Sequence, residues 1–249
     1  MEIVMANIID EIKSLKDLAQ RQSNQGQYEI AAKTLRDAID VLEAALTRRE
    51  SHVDRAHRAS APVDTEENRI AVELADLYGL LGGASRKYGA LMQAIAAYDQ
   101  GFRYESNPRY GIVNTYNALN RLVTRILMCP SSLSDPDALR SVNELEFVDV
   151  PRTVNELRTE LKQEVDGVRS NDFWAAGDLA FTCALNGDDQ GALDALQRFE
   201  SCSPPPLASA YSAYIYWIGS VAELDTPRKE ALNKVKALFD NSLSKRNCG

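Results

Sequence analysis

The feature that most constrains this chain is the helical period of its apolar residues, which recurs in paired segments joined by short polar turns. Apolar residues at steps of three and four predict amphipathic helices, and no run of alternating β-branched residues ends in the turn signals of a strand hairpin. A first helix pair is predicted at 9–22 and 28–49, with Gly26 supplying the turn between the two helices. The predicted fold class is therefore all-α.

Helix caps, glycines and prolines divide the rest of the chain into further helices. These predicted helices cover residues 65–82, 88–104, 109–128, 153–168, 172–185, 190–199, 207–224 and 227–243, with a frayed tail from 244. We predict one helical domain over 1–249, which comprises an N-terminal hairpin at 1–50, a linker at 51–64, central repeats at 65–128, an irregular insertion at 129–152, and C-terminal repeats with a capping helix at 153–249.

Three of the predicted helix pairs share one register of small and large residues. Small residues let two helices approach, and large residues fill the space between them. The register is clearest in Tyr78-x2-Leu81-Gly82 with Ala94-x3-Tyr98-x2-Gly101, and it recurs in Leu15, Leu18, Ala19, Ala31, Leu35 and Ala38 and in Leu179, Ala180, Ala192, Leu196 and Phe199. It resembles the tetratricopeptide repeat (TPR), a helix–turn–helix unit of about 34 residues. The resemblance implies an irregular TPR-like α-solenoid of antiparallel helix pairs.

A second and narrower resemblance covers roughly residues 65–240. It depends on Tyr110-Gly111-Ile112, on the irregular insertion that follows, and on the run from Phe173-Trp174-Ala175 to Gln190-Gly191-Ala192. Together these segments are similar to the TRAFs-binding domain of stress-activated MAP kinase kinase kinases and of bacterial proteins. That resemblance implies a role in signalling or as a scaffold, and it names no partner.

The predicted helix at 109–128 carries an unusual polar face. Asparagine is a poor residue for a helix interior because its side chain competes for backbone groups, whereas a row of amides and guanidinium groups can hold an extended peptide or an acidic motif. The same residues also fit a solvated surface or internal amide bonds, so both interpretations stay open. The face consists of Tyr110, Asn114, Asn117, Arg121 and Arg125.

The TPR resemblance implies a second set of partner-binding positions. In peptide-binding proteins of that family the first helix of each pair forms the concave surface, and the register carries this role to Lys13, Lys16 and Arg86. Lys13 and Lys16 resemble positions of a carboxylate clamp, but the companion asparagines of that clamp are not in place. The two residues also fit ordinary surface lysines.

Composition and motifs argue against catalysis, metal binding and nucleic-acid binding. The formal net charge is −8 and the basic residues are scattered, so no basic face is predicted for phosphates. His52 and His57 lie in the predicted linker without a third ligand, and the four cysteines are far apart. We predict no catalytic residue, cofactor or metal. The chain lacks an apolar stretch of about 18 residues, so we predict a cytoplasmic location without membrane contact.

The function predicted from these patterns is a non-catalytic scaffold or adaptor that binds another protein or a peptide segment in an intracellular signalling or defence complex. The alternative is a helical enzyme or small-ligand receptor with a polar pocket around Asn114, Asn117 and Arg121. A third hypothesis is a structural subunit that forms a homo-oligomer through residues 211–221. Aromatic residues recur there at helical spacing, although we expect the last helix to bury them.

Overall fold

The computed structural model describes residues 2–51, 65–135, 137–141, 148–224 and 226–247. Their regular secondary structure is helical throughout, without a strand, so the all-α prediction is confirmed for this part of the chain. None of the described helices is long and apolar enough to cross a membrane. Most of the predicted linker, including His52 and His57, lies outside the described residues.

The chain divides into two compact units, Met1–Arg121 and Leu122–Gly249, which are described separately. The prediction of one domain therefore stays a prediction. The first unit contains α1 (Glu2–Asn24), α2 (Tyr28–Ser51), α3 (Thr65–Lys87), α4 (Leu91–Glu105) and the start of α5 (Tyr116–Met128). The second contains the rest of α5, short 3-10 helices at Pro130–Leu133 and Ala138–Ser141, and then α6 (Val150–Asp166), α7 (Phe173–Asn186), α8 (Asp189–Ser201), α9 (Ala208–Ala222) and α10 (Lys229–Asn247).

Three helix pairs, α1–α2, α3–α4 and α7–α8, are closed by the same turn. Gly26, Gly89 and Gly187 have φ values of 75°, 88° and 77°, a left-handed conformation that glycine adopts with little strain. In each turn the residue after the glycine donates its backbone N–H to a carbonyl in the last turn of the first helix, which is the Schellman closure of a helix. These bonds join Gln27 to Gln22, Ala90 to Ser85 and Asp188 to Cys183, each at 2.9 Å.

Glycine also lets helices approach closely inside the units. A Cβ added to Gly82 of α3 would lie 2.5 Å from a ring carbon of Tyr98 on α4, and Tyr98 is completely buried. A Cβ on Gly177 of α7 would likewise meet the ring of Tyr214 on α9. No side chain fits at such distances, so the prediction that Gly82 serves helix packing is confirmed.

Two of the four aromatic residues of α9 pack inside the second unit. Tyr211 and Tyr214 are buried, and the ring of Tyr214 stacks on Phe239 of α10 with 5.2 Å between the ring centres. Ile218 and Val221, on the same side of α9, are completely buried. The predicted burial of this strip is therefore confirmed for these four residues, whereas Trp217 is only half-buried.

Four predicted helix boundaries differ from the structure by four residues or more. The first helix, predicted from residue 9, begins at Glu2. The helix predicted to end at Gly82 continues to Lys87, because the residues after Gly82 are still packed in the core. The helix predicted from residue 109 begins at Tyr116, since Gly111 has a φ of 58°, which a right-handed helix cannot contain. The last helix continues to Asn247, where a frayed tail was predicted.

Candidate functional site

The first unit contains an open groove of about 480 Å³, here called the N-terminal groove. Helix α3 forms its floor, and α2 and α4 form its walls. Its lining residues are Arg36, Ile39 and Asp40 from α2, Tyr78, Leu81 and Ser85 from α3, and Gln93, Ala96, Ala97 and Gln100 from α4.

Hydrogen bonds cross the N-terminal groove and leave one buried hydroxyl unused. Arg36 donates from Nη2 to Oε1 of Gln93 at 3.1 Å. The hydroxyl of Tyr78 donates to Oε1 of Glu43 at 2.5 Å, and burial together with the negative charge of Glu43 raises the pKa of Tyr78 above its usual range. Ser85 is buried, and its Oγ has no hydrogen-bond partner among the described residues.

The second unit contains a groove of about 280 Å³, here called the C-terminal groove. Helix α7 forms its floor, and its walls come from α6 and from α8 with the residue that caps α8. Its lining residues are Arg158, Thr159, Lys162 and Asp166 from α6, Leu179 and Cys183 from α7, and Asp188, Gly191, Asp194, Ala195 and Arg198 from α8 and its cap.

Ion pairs link the walls of the C-terminal groove in two places. Nη1 of Arg158 lies 2.8 Å from Oδ2 of Asp188, and Nη1 of Arg198 lies 2.6 Å from Oδ1 of Asp166. On the floor, burial raises the pKa of the Cys183 thiol to about 11. The thiolate is the reactive form of cysteine, so this residue is a poor nucleophile at neutral pH.

The two grooves are lined from matching positions of two helix pairs. The shift in residue number that maps the turn glycine Gly89 onto Gly187 also maps six lining residues of the first groove onto lining residues of the second. It maps Leu81 onto Leu179, Ser85 onto Cys183, Gln93 onto Gly191, Ala96 onto Asp194, Ala97 onto Ala195, and Gln100 onto Arg198. The register predicted from the sequence aligns the cores of these pairs. The grooves were not predicted, although this register was the signal that could have located them.

The polar face predicted for residues 109–128 does not exist as one helix face. Tyr110 and Asn114 precede α5, and the side chains of Asn117 and Arg125 are completely buried. Tyr110 is also buried. The prediction that these five residues share one face of a single helix is therefore wrong, and three of the five are taken up by the interior.

Asn117 has an internal role in the first unit. Its Nδ2 donates to the backbone carbonyl of Ala75 at 2.9 Å and to Oε1 of Glu105 at 2.8 Å. The Glu105 carboxylate also accepts the backbone N–H of Asn117 at 3.2 Å, at the start of α5, where the helix dipole favours negative charge. The internal amide bonds left open by the sequence analysis are thus present at Asn117.

Arg121 also contacts its own unit. Its Nε lies 3.6 Å from Oδ1 of Asp99, and its guanidinium carbon lies 4.1 Å from the centre of the Phe102 ring. Both contacts are to α4, so this guanidinium helps to hold α5 against α4. A role in partner binding stays a prediction for Arg121.

The residues carried over from the TPR surface differ in exposure. Lys13 is exposed. Lys16 binds Glu73, at 3.1 Å, and Asp76; burial lowers the pKa of Lys16, but its bonds to these two carboxylates outweigh that effect and raise it. Arg86 is buried. Partner binding stays a prediction for all three, and Lys13 is the one that is fully open to solvent.

No group of three or more His, Cys, Asp and Glu side chains in the described part of the chain is placed to hold a metal ion. A comparison with known proteins gives no matching family model, no matching curated protein and no matching solved structure. The two family resemblances therefore stay predictions.

Proposed function

We propose that the chain is a non-catalytic scaffold that binds peptide segments of other proteins in its two grooves, within an intracellular signalling or defence complex. The observation that supports this proposal is that two helix pairs with the same turn each have a groove, and that the two grooves are lined from matching positions. Repeat proteins keep a packed backbone unit and bind partners through the surface that the repeats create. We further propose that the helix pairs form an irregular TPR-like α-solenoid.

The chemistry of the grooves favours binding over catalysis. A catalytic nucleophile needs a base within hydrogen-bond reach or a lowered pKa. The pKa of the Cys183 thiol is raised instead, and the hydroxyl of Tyr78 is bonded to Glu43 while its own pKa is raised. The grooves therefore offer shape, charge and hydrogen bonds to a ligand, without an activated nucleophile at either residue.

Panning a phage-displayed library of random peptides against the full chain tests this proposal. Ala96→Arg and Asp194→Arg each place a long side chain in one groove, at matching exposed positions, so the two variants are controls for each other. Circular dichroism confirms that both variants are folded. Enriched peptides are expected to lose binding to one variant and to keep binding to the other.

Two results would contradict the proposal. One is enrichment of peptides that bind both variants as tightly as the unchanged chain, which would place binding outside the grooves. The other is the absence of any enriched peptide.

A further inference from the structure

One carboxylate of the N-terminal groove is available to a positively charged group. Asp40 is exposed on its α2 wall and forms no ion pair with a described residue. Glu43, beside it on α2, is held by the Tyr78 hydroxyl, and both carboxylates act on the pKa of Tyr78. The lining also holds a cation, Arg36, whose guanidinium donates to the neutral amide of Gln93 and keeps its charge. A cationic group of a ligand on the Asp40 side of the groove would find this carboxylate available.

Ser85 adds a polar atom that needs a partner. The residue is 2% exposed, lines the groove, and its Oγ has no hydrogen-bond partner in the described structure. A buried hydroxyl without a partner is unfavourable, and folded proteins contain few of them. The oxygen itself is shut off from solvent, so the Ser85 side chain must rotate toward the groove before a donor group of a ligand can satisfy it.

The other buried residues of the lining are apolar. Ile39, Leu81 and Ala97 line the groove and are buried. Lysine and arginine combine a hydrocarbon stem that packs on apolar surface with a charged head that only donates hydrogen bonds. A basic side chain therefore complements both parts of this lining.

We propose that the N-terminal groove binds a peptide segment of a partner protein through one basic side chain, whose charged head is held by the Asp40 carboxylate and Ser85 Oγ and whose stem packs on Leu81 and Ala97. This inference rests on the proposed function and adds the class of residue that is recognised. The C-terminal groove lacks this combination, because Cys183 replaces the serine and ion pairs link its walls.

Fluorescence anisotropy with labelled peptides tests the inference. The peptides used are those that panning enriches on the unchanged chain and that the Ala96→Arg variant no longer binds. In each peptide, every Lys or Arg is replaced in turn by norleucine, which keeps a hydrocarbon stem and removes the charge. One replacement is expected to lower affinity by about tenfold or more, the range for a hydrogen bond to a charged group. Asp40→Asn and Ser85→Ala are expected to weaken the unchanged peptide and to have little further effect on the norleucine peptide.

Two controls separate binding from folding. Asp194→Asn changes a carboxylate in the other groove and is expected to leave this affinity unchanged. Ser85→Ala removes a hydroxyl without a partner, so the melting temperature of the free protein is expected to stay level or rise while peptide affinity falls.

Groove-dependent peptides without an essential basic residue would overturn the inference and leave the proposed function standing. The same holds for peptides whose basic residue contributes equally in the Asp40→Asn variant, and for peptides that depend on the C-terminal groove alone. If no peptide depends on either groove for binding, both the inference and the proposed function are refuted.

Discussion

Replacement of Gly82 by alanine measures how closely α3 and α4 approach. The new Cβ would lie 2.5 Å, 2.7 Å and 2.7 Å from three ring atoms of Tyr98, where ordinary contact is 3.4–4 Å, and this ring is completely buried. Overpacking a close-packed core costs about 1–3 kcal/mol, and the better helix propensity of alanine returns about 1 kcal/mol. The buried ring has no solvent to move into, so we use the upper end of the overpacking cost, about 3 kcal/mol. The free energy of unfolding should therefore fall by about 2 kcal/mol, which lowers the melting temperature by about 4–8 °C for a chain of this size.

Gly83→Ala is the matched control, one position further along α3. The atoms nearest to its added Cβ are the hydroxyl oxygens of Tyr98 and Tyr116 at 3.8 Å, which is ordinary contact. We expect this variant to gain up to about 1 kcal/mol from helix propensity. Thermal and urea unfolding followed by circular dichroism should give opposite signs for the two variants. If Gly82→Ala is as stable as Gly83→Ala, the close approach of these helices is refuted.

Three further predictions concern the turns, the buried amide and the buried thiol. Gly26→Ala and Gly89→Ala add a Cβ with no atom within 4 Å, so each should lose about 1 kcal/mol in urea unfolding from the positive φ alone, and unchanged stability would speak against a left-handed turn. Asn117→Ala removes a buried donor to Glu105 and should lower the free energy of unfolding by about 2–3 kcal/mol; a loss below about 0.5 kcal/mol would show that this bond is unimportant. Cys183 has a pKa of about 11, so only about one thiol in a thousand is ionised near pH 8. Iodoacetamide labelling measured by peptide mass spectrometry should be slow there in the folded protein, rise with pH, and be fast in urea, whereas fast native labelling would contradict the buried environment.

The apolar period located the helices because it reports which face of a helix is buried. Ala31 and Ala38 of α2, and Ala192 of α8, were placed in the shared register from the sequence and are completely buried. The turn at Gly26 was also predicted, since it follows one periodic segment and precedes another. In these cases neighbours along the chain determine the structure, so a single sequence contains the necessary information.

Helix ends near the other glycines could not be predicted in the same way. Gly82 and Gly83 stay inside α3, whereas Gly89 and Gly111 lie outside helices with positive φ. All four are the same residue in the sequence. What keeps Gly82 inside the helix is the ring of Tyr98 from α4, and that contact exists only once the two helices have packed.

The same limit applies to Asn117. Its unusual placement was a real signal, and the structure shows that its amide bonds a buried carboxylate, Glu105, which belongs to a different helix. Helical spacing shows which residues share a face and does not show what lies opposite. A polar face that binds a partner and a polar residue that binds its own core therefore give the same pattern.

The matched grooves show which positions the repeat constrains. Leu81 and Leu179 correspond, and so do Ala97 and Ala195, because these side chains are buried between helices and their size is set by packing. The corresponding lining positions that face the opening differ in charge and polarity: Ala96 with Asp194, and Gln100 with Arg198. Packing sets no requirement on those residues, so their charge and polarity can change while the packed core of the helix pair stays the same. The register of the core thus predicts where each groove lies, and under the proposed function the side chains that the register leaves unconstrained would determine what each groove binds.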